Sequence, residues 1–129
     1  MAYHIPEELL YTKSHEWVRF DEDGTALVGI TDFAQHSLGD IVFINLPEQG
    51  QHAAAGEQLA DVESVKAVEG ILSPVTGTVL CVNEALDEAP EAVNEDPYGA
   101  WIARIGDIAG RGELLDAAQY RAHVEQEEA

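Results

Sequence analysis

The side chain with the clearest chemical potential is Lys66, in the run ESVKAVEG. Only one other lysine, Lys13, occurs in a chain that carries 25 aspartates and glutamates. A lysine acts as a nucleophile where burial or a neighbouring cation favours the neutral amine, whereas Lys66 is flanked by Glu63 and Glu69. An isolated amine between two strand-like stretches therefore indicates an attachment point that another enzyme modifies.

Ser14, His15 and Glu16 place a hydroxyl, an imidazole and a carboxylate in a row. Side chains at adjacent strand positions point to opposite faces, so these three cannot relay a proton as a catalytic triad does. No metal site is predicted either, because no two histidines are three or four residues apart and the single cysteine has no partner. The histidines are His4, His15, His36, His52 and His123.

The one cysteine, Cys81, lies in the apolar run TVLCVN and is predicted to be a buried structural thiol. It can form no internal disulfide, because the sequence offers no second cysteine. Any dithiol chemistry performed by this protein must therefore come from a cofactor.

Length and charge restrict the class of protein. With 129 residues, 46% of them hydrophobic, the chain has the size of one domain, and no low-complexity linker divides residues 1–129. A net charge of −19 repels phosphate backbones and anionic membranes, so neither nucleic acid nor membrane is predicted as a partner.

The N-terminal sequence lacks a signal-peptide pattern, and no segment has the roughly 20 apolar residues that span a bilayer. A cytoplasmic protein of bacterial type is predicted.

The chain reads as short strands separated by turn residues. Six runs rich in branched and aromatic residues predict strands at 16–20, 25–30, 40–46, 58–64, 78–82 and 101–105. The glycine-rich segment GDIAGRG (106–112) lacks the lysine of a phosphate-binding loop and is predicted to be a flexible connector. Six or more short strands in one domain are typical of an all-β sandwich or barrel.

Helices are predicted at the periphery. Thr31 or Asp32 can cap a short helix that ends before Gly39, and Pro90 suits the first turn of another. Apolar residues at helical spacing predict a longer C-terminal helix over about 112–128. If Val65 and Lys66 form a hairpin tip, a type I turn is predicted, because β-branched Val65 disfavours the positive φ of primed turns.

Eight segments in order resemble the H-protein family of the glycine cleavage system, from about Leu9 to the C-terminal helix. No single segment is decisive, but the ordered set with compatible spacing is very specific. The segments are SHEWV (14–18), GITDFAQ (29–35), GD (39–40) with LP (46–47), ESVKA (63–67), SPVTG (73–77), VNEAL (82–86), NEDPYG (94–99) and Trp101.

The resemblance implies a barrel-sandwich hybrid, the fold of lipoyl and biotinyl carriers, with short peripheral helices and a C-terminal helix. It implies that lipoic acid is joined through an amide to Lys66 at a hairpin tip, and that Glu63, Ser64, Val65 and Ala67 form the hairpin that is recognised there. A monomer without catalysis of its own is expected. Its implied partners are the pyridoxal-phosphate-dependent P protein, the aminomethyltransferase T protein, the dihydrolipoyl dehydrogenase L protein and an enzyme that attaches lipoate.

By position, Ser14 and Glu16 match the family's pair that lines the cleft for the loaded arm. The alternative is a strand-edge cap or a surface charge. Many relatives have Ser-Asp three and four residues after the lysine, whereas this chain has Glu69 and Gly70. A shift by one residue reverses the face of a strand, so Glu69 is expected not to replace that acid directly. Glu16 is therefore predicted to carry more of the stabilisation of the arm's ammonium group.

Several other functions compete with this one. Biotin carriers have methionines on both sides of the lysine, whereas Lys66 lies between Val65 and Ala67. Lipoyl domains of 2-oxo-acid dehydrogenase complexes typically show Asp-Lys-Ala beside linkers and further domains. A closer alternative is an H-like protein that acts mainly as a lipoyl relay in lipoate biosynthesis. An unmodified β-rich adaptor and a small enzyme built on residues 14–16 are the remaining alternatives.

Overall fold

The computed structural model describes residues 2–128, in which nine strands and four helices are found. Together they confirm the predicted all-β class with short peripheral helices and a C-terminal helix. The elements are β1 (Leu10–Tyr11), β2 (Glu16–Phe20), β3 (Ala26–Ile30), α1 (Asp32–Leu38), β4 (Ile41–Asn45), β5 (His52–Ala53), β6 (Gln58–Ser64), β7 (Val68–Leu72), β8 (Val75–Val82), α2 (Ala85–Glu88), α3 (Ala92–Glu95), β9 (Ala103–Arg111) and α4 (Ala117–Glu128).

The strands form two antiparallel sheets that share one core. A six-stranded sheet has the order β1-β2-β3-β9-β8-β5, and a three-stranded sheet has the order β4-β6-β7. Buried residues from both sheets, among them Val28, Ile105, Ile44 and Val62, belong to one hydrophobic cluster. Burial of this apolar surface is the main force that holds the two sheets together as a sandwich.

A second cluster of buried residues packs α4 against the larger sheet. The ring of Tyr120 on α4 stacks on Tyr11 of β1, with centroids 4.6 Å apart and ring planes 9° apart. Ile5, Leu9, Trp17 and Val124 are buried in the same cluster. The C-terminal helix is therefore an integral part of the fold. It is also the longest described helix, with 12 residues. No helix within residues 2–128 is long and apolar enough to cross a membrane.

The C-terminal helix begins at Ala117, so its predicted start near residue 112 is wrong. Leu115 is extended and exchanges two backbone hydrogen bonds with Tyr11, at 2.8 and 2.7 Å. The helix then starts with a reciprocal cap. The Asp116 carboxylate accepts from the N–H of Gln119 at 2.8 Å, while the Gln119 side chain accepts from the N–H of Asp116 at 2.9 Å.

The prediction for α1 is confirmed by its caps. The Thr31 hydroxyl accepts a hydrogen bond from the N–H of Ala34 at the start of the helix, and Gly39 ends it with a φ of 78°. A short helix after Pro90 is also confirmed, as α3.

The prediction that GDIAGRG is a flexible connector is wrong, because residues 106–111 continue strand β9. Gly106 pairs with Thr78 and Gly110 with Thr76 of β8. Gly106 serves close packing, because a Cβ there would lie 2.6 Å from Cδ1 of Leu80, and a Cβ on Gly77 of β8 would lie 2.4 Å from the carbonyl oxygen of Gly106. A run of glycines can therefore indicate strands that approach closely as well as a loop.

The prediction that Cys81 is buried is also wrong, since its side chain is exposed. Along β8, residues 75, 77 and 79 are buried, so regular alternation would bury residue 81 as well. The pairing with β9 shifts register between Val79 and Cys81. This irregularity reverses the phase of the strand and turns Cys81 outward.

The contact between β8 and β9 generates a stability prediction. We expect Gly77→Ala to lower the free energy of unfolding by about 1–3 kcal/mol, the usual cost of overpacking, because its Cβ would collide with the backbone of Gly106. Gly110→Ala is the matched control on the same pair of strands, since nothing lies within 4 Å of its added Cβ. Chemical denaturation of both variants measures the effect, and equal losses of stability would contradict the prediction.

Candidate functional site

Lys66 lies at the exposed tip of the hairpin between β6 and β7, as the resemblance implies. The Ser64 hydroxyl oxygen accepts hydrogen bonds from the backbone N–H groups of Lys66 and Ala67, each at 3.1 Å. Ser64 also donates its own N–H to the carbonyl oxygen of Ala67, at 2.8 Å. Among the described residues other than glycine, only His15 and Asp107 have a positive φ, so the tip is not a primed turn. A side-chain hydroxyl thus satisfies the backbone of a turn that has no glycine.

A second contact holds the hairpin tip against the start of β4. Val65 donates its N–H to the carbonyl oxygen of Asp40, at 3.0 Å. The neighbouring Gly39 leaves room for the lysine stem, because a Cβ there would lie 3.3 Å from Cε of Lys66. The backbone beneath Lys66 is therefore fixed on two sides.

The surface around the Lys66 amine is unusually apolar for an exposed position. Val65 and Val68 beside it each expose 66% of their surface, and Val42 and Phe43 on β4 expose 54% and 47%. Glu63 on β6 is exposed as well and pairs with Val68. The five residues 63–67 thus present an amine, a carboxylate and apolar side chains on one projecting turn.

A cleft begins beside this hairpin and runs between α1, β7 and the segment 14–16. It encloses about 310 Å³, and we refer to it as the α1–β7 cleft. Its lining combines apolar residues of α1 and β7 with polar groups, among them Phe33, Leu38, Ile71, Ser14, Glu16 and Glu69. Ala67 also contributes, which places the cleft next to the Lys66 turn.

Glu16 is a buried carboxyl group in the wall of the cleft, with 2% of its surface exposed, and not a surface charge. Its Oε1 accepts hydrogen bonds from the hydroxyls of Thr12 and Ser14, at 2.6 and 2.5 Å, and its Oε2 accepts from the N–H of Leu72 at 3.2 Å. Burial raises the pKa of Glu16 above its ordinary value, and these hydrogen bonds oppose that shift. The structure thus joins Ser14 and Glu16 in one network.

His15 does not join that network, which agrees with the expectation that residues 14–16 form no proton relay. Its Nδ1 lies 2.8 Å from the hydroxyl of Tyr120, and its Nε2 lies 2.9 Å from Oε2 of Glu127. Burial lowers the pKa of His15, and the carboxylate of Glu127 opposes that shift. His15 thus connects the cleft wall to α4.

Glu69 lies in the lining of the α1–β7 cleft together with Glu16, so the reversal of the strand face does not exclude it from the cleft. That Glu69 does not replace the family's acid directly stays a prediction. Strand β7 is the free edge of the three-stranded sheet. The cleft runs along this edge, and the successive residues Glu69, Gly70 and Ile71 all line it. Strict alternation predicts faces within a sheet, but it does not separate residues along an open edge.

Sequence reasoning missed one cluster of potential ligands. The imidazoles of His15 and His123 and the carboxylate of Glu127 bring their ligand atoms within 4.8 Å of one another, although the histidines are far apart in the sequence. The sequence did not suggest that these two histidines converge. The only signal was the spacing of four residues between His123 and Glu127, which places both on one face of a helix.

Comparison with known proteins agrees with this geometry. A family model described as "Glycine cleavage H-protein" matches residues 9–127. A glycine cleavage system H protein from Lachnoclostridium phytofermentans is 53% identical over 123 residues, which cover 95% of this chain and 97% of that protein. One from Aeromonas hydrophila subsp. hydrophila is 54% identical over 127 residues, with 96% and 98% covered.

A solved structure shows the same fold. The crystal structure of a glycine cleavage system H protein from Mycobacterium marinum superposes with a TM-score of 0.87 at 37% sequence identity. The alignment covers 97% of this chain and 100% of that one.

The buried carboxyl of Glu16 generates a pH prediction. Because its pKa is raised in the folded protein, the folded chain keeps this proton to a higher pH than the unfolded chain does. Its contribution to the free energy of unfolding is therefore greatest below the ordinary carboxyl value of 4.5 and declines as the pH rises through the raised pKa. Glu16→Gln lacks this titration, so we expect its stability relative to the parent chain to increase with pH across that window.

Urea denaturation at a series of pH values checks this expectation. Glu22→Gln, at an exposed position between β2 and β3, is the control. The difference in stability between this variant and the parent chain should not change with pH. If the stability of Glu16→Gln relative to the parent chain is constant or decreases with pH, then Glu16 is not the titrating group.

Proposed function

The chain belongs to the glycine cleavage H-protein family, and we propose that it carries lipoic acid in amide linkage to the Nζ of Lys66. Family membership makes it a carrier component of the glycine cleavage system. The single observation that supports Lys66 as the attachment point is its position at the tip of an exposed hairpin whose backbone is fixed.

The surroundings of the amine suit such a linkage. Within residues 2–128, no carboxylate forms an ion pair with Lys66, whereas Lys13 pairs with Glu113 at 3.4 Å. Amide formation removes the ammonium charge and leaves a long apolar stem, which is compatible with the exposed Val65 and Val68. When bound, the lipoyl group would supply a disulfide that accepts a one-carbon amine fragment and that is left as a dithiol, to be reoxidised, once the fragment has been passed on.

The α1–β7 cleft is proposed to shelter the loaded arm. Phe33, Leu38 and Ile71 offer apolar surface, and Ser14, Glu16 and Glu69 offer oxygen atoms at which an ammonium group could be held. The Ser14 hydroxyl donates to Glu16, so its role is to orient that carboxylate. A cleft that begins at Ala67 is close enough to Lys66 for a tethered group to enter it while the hairpin stays in place.

We propose the P, T and L proteins and an enzyme that attaches lipoate as the partners of this carrier. The residues that they recognise are Glu63, Ser64, Val65 and Ala67, which project with Lys66. The net charge of −19 speeds encounters with basic docking surfaces and acts less on the final affinity. A monomer in the cytoplasm is part of the same proposal, because a carrier that visits several active sites gains from an unobstructed arm.

Two alternatives lack support. None of the comparisons favours an H-like protein that acts mainly as a lipoyl relay in lipoate biosynthesis. An enzyme built on residues 14–16 would need these side chains to act as a unit, and His15 contacts Tyr120 and Glu127 instead. We therefore propose that the chain has no catalytic activity of its own.

The presence of only two lysines gives a clean test of attachment. In cells supplied with lipoate, we expect the intact mass of the protein to show one lipoyl increment, which peptide mapping places on Lys66. Lys66→Ala should lose the increment, and Lys13→Ala, the matched control, should retain it because Lys13 lies in a different loop. An increment that survives Lys66→Ala, or fully matured protein without one, would contradict the proposal.

The cleft generates a second prediction. We expect Glu16→Gln to speed the loss of the carried amine to water more than Glu69→Gln does, because Glu16 is buried and held by three hydrogen bonds whereas Glu69 is exposed. The hydrolytic lifetime of the loaded carrier, measured for both variants in the absence of partner proteins, checks this. An unchanged lifetime in Glu16→Gln, or a larger effect of Glu69→Gln, would assign the role elsewhere.

A further inference from the structure

Three side chains from two distant parts of the chain meet at the mouth of the α1–β7 cleft. Nε2 of His15 lies 2.9 Å from Oε2 of Glu127, and Nε2 of His123 lies 2.9 Å from Oε1 of the same carboxylate. The His15 and His123 rings are 5.6 Å apart, with ring planes inclined by 36°. One carboxylate thus lies between two imidazole nitrogens, and all three ligand atoms lie within 4.8 Å of one another.

Each of the three groups is held in place by the fold. His123 and Glu127 are four residues apart on α4, so they share one helix face. The other ring nitrogen of His15, Nδ1, lies 2.8 Å from the hydroxyl of Tyr120, which in turn lies 2.7 Å from the hydroxyl of Thr31. An outer partner of this kind fixes the ring orientation of a histidine ligand.

We propose that His15, His123 and Glu127 bind one divalent transition-metal ion of the zinc class. Ligand atoms about 2.0–2.2 Å from a tetrahedral zinc ion lie about 3.3–3.6 Å apart, a spacing that falls between the 2.9 Å contacts and the 4.8 Å limit of this cluster. Two imidazoles and one carboxylate are a ligand set that zinc sites use, whereas magnesium and calcium prefer oxygen ligands throughout.

Binding requires that the two Nε2 atoms carry no proton. Each neutral imidazole can place its proton on Nδ1 instead, and at His15 that N–H then donates to the Tyr120 hydroxyl. The Tyr120 hydroxyl then donates its own hydrogen bond to the Thr31 oxygen. The same contacts are therefore compatible with both tautomers of His15. In the absence of metal, the Nε2–H of His15 donates to Glu127, and the Nε2–H of His123 donates to the carbonyl oxygen of Lys13.

Three protein ligands leave one coordination position open. The carbonyl oxygen of Lys13 lies 3.0 Å from Nε2 of His123, so this backbone oxygen or a water molecule is placed to fill it. His15 and Glu127 themselves line the cleft, so the ion lies in its wall. The ion would join segment 13–15 to α4, and it would stabilise the fold because the unfolded chain has no preformed site.

Titration of the full chain with zinc by calorimetry tests the proposal, and cobalt reports the ligand geometry by its visible absorption. Both titrations contain excess magnesium, which occupies sites made of carboxylates alone on so acidic a protein. We expect one tightly bound zinc ion per chain, a tetrahedral cobalt spectrum and a rise in melting temperature with zinc. His123→Gln and Glu127→Gln, both on α4, should each weaken binding by about tenfold or more, since even outer partners of a ligand change affinity by about that factor.

Matched variants separate this site from the other possible ligands of the chain. His52→Gln removes an exposed imidazole on β5, and Cys81→Ser removes the exposed thiol, and neither should change binding. Lys66→Ala should bind zinc as the parent chain does, so the site can be present even if the proposed carrier function is wrong. The absence of one-to-one binding, or unchanged affinity in both His123→Gln and Glu127→Gln, would overturn the proposal and leave only a hydrogen-bonded cluster.

Discussion

The buried hydroxyl of Tyr120 joins separate parts of the chain at one point. It lies 2.7 Å from the Thr31 hydroxyl, which caps α1, and 2.8 Å from Nδ1 of His15. Its ring stacks on Tyr11 of β1. Burial raises the pKa of this hydroxyl, so it stays protonated and can donate over the whole physiological range. The start of α1, the mouth of the cleft and α4 therefore meet at one phenol.

The two sides of the functional region are stabilised by different forces. The cleft wall that contains Glu16 is a network of hydrogen bonds in a buried setting, where each missing partner is costly. The Lys66 hairpin, in contrast, exposes its apolar residues and relies on hydrogen bonds that its backbone N–H groups donate to the Ser64 hydroxyl and to the carbonyl oxygen of Asp40. A turn built in this way leaves its side chains free to meet other proteins while its backbone stays fixed.

Local signals in the sequence predicted well wherever local contacts decide the structure. The caps at Thr31 and Gly39 placed α1, and a run of strand-forming residues placed strand β6 with its observed bounds. The predicted start of α4 failed because Leu115 belongs to a bridge with Tyr11, a contact between distant residues that helical periodicity does not reveal. The prediction of a buried Cys81 failed because an apolar run does not reveal an irregularity in strand pairing. The place of Glu69 in the cleft lining was not predicted because β7 lies at an open edge of its sheet. The meeting of His15 with α4 depends on tertiary packing alone.

The hydrogen bond from Val65 to Asp40 has a mechanical consequence for anything attached to Lys66. Because the turn is pinned both by Ser64 and by the start of β4, the first freely rotating joint is in the lysine side chain and not in the backbone. A tethered group therefore swings about a stationary pivot, and its radius is set by the number of covalent bonds in the tether. Any docking protein would then need to bring its own reaction centre only within that radius of a single fixed point.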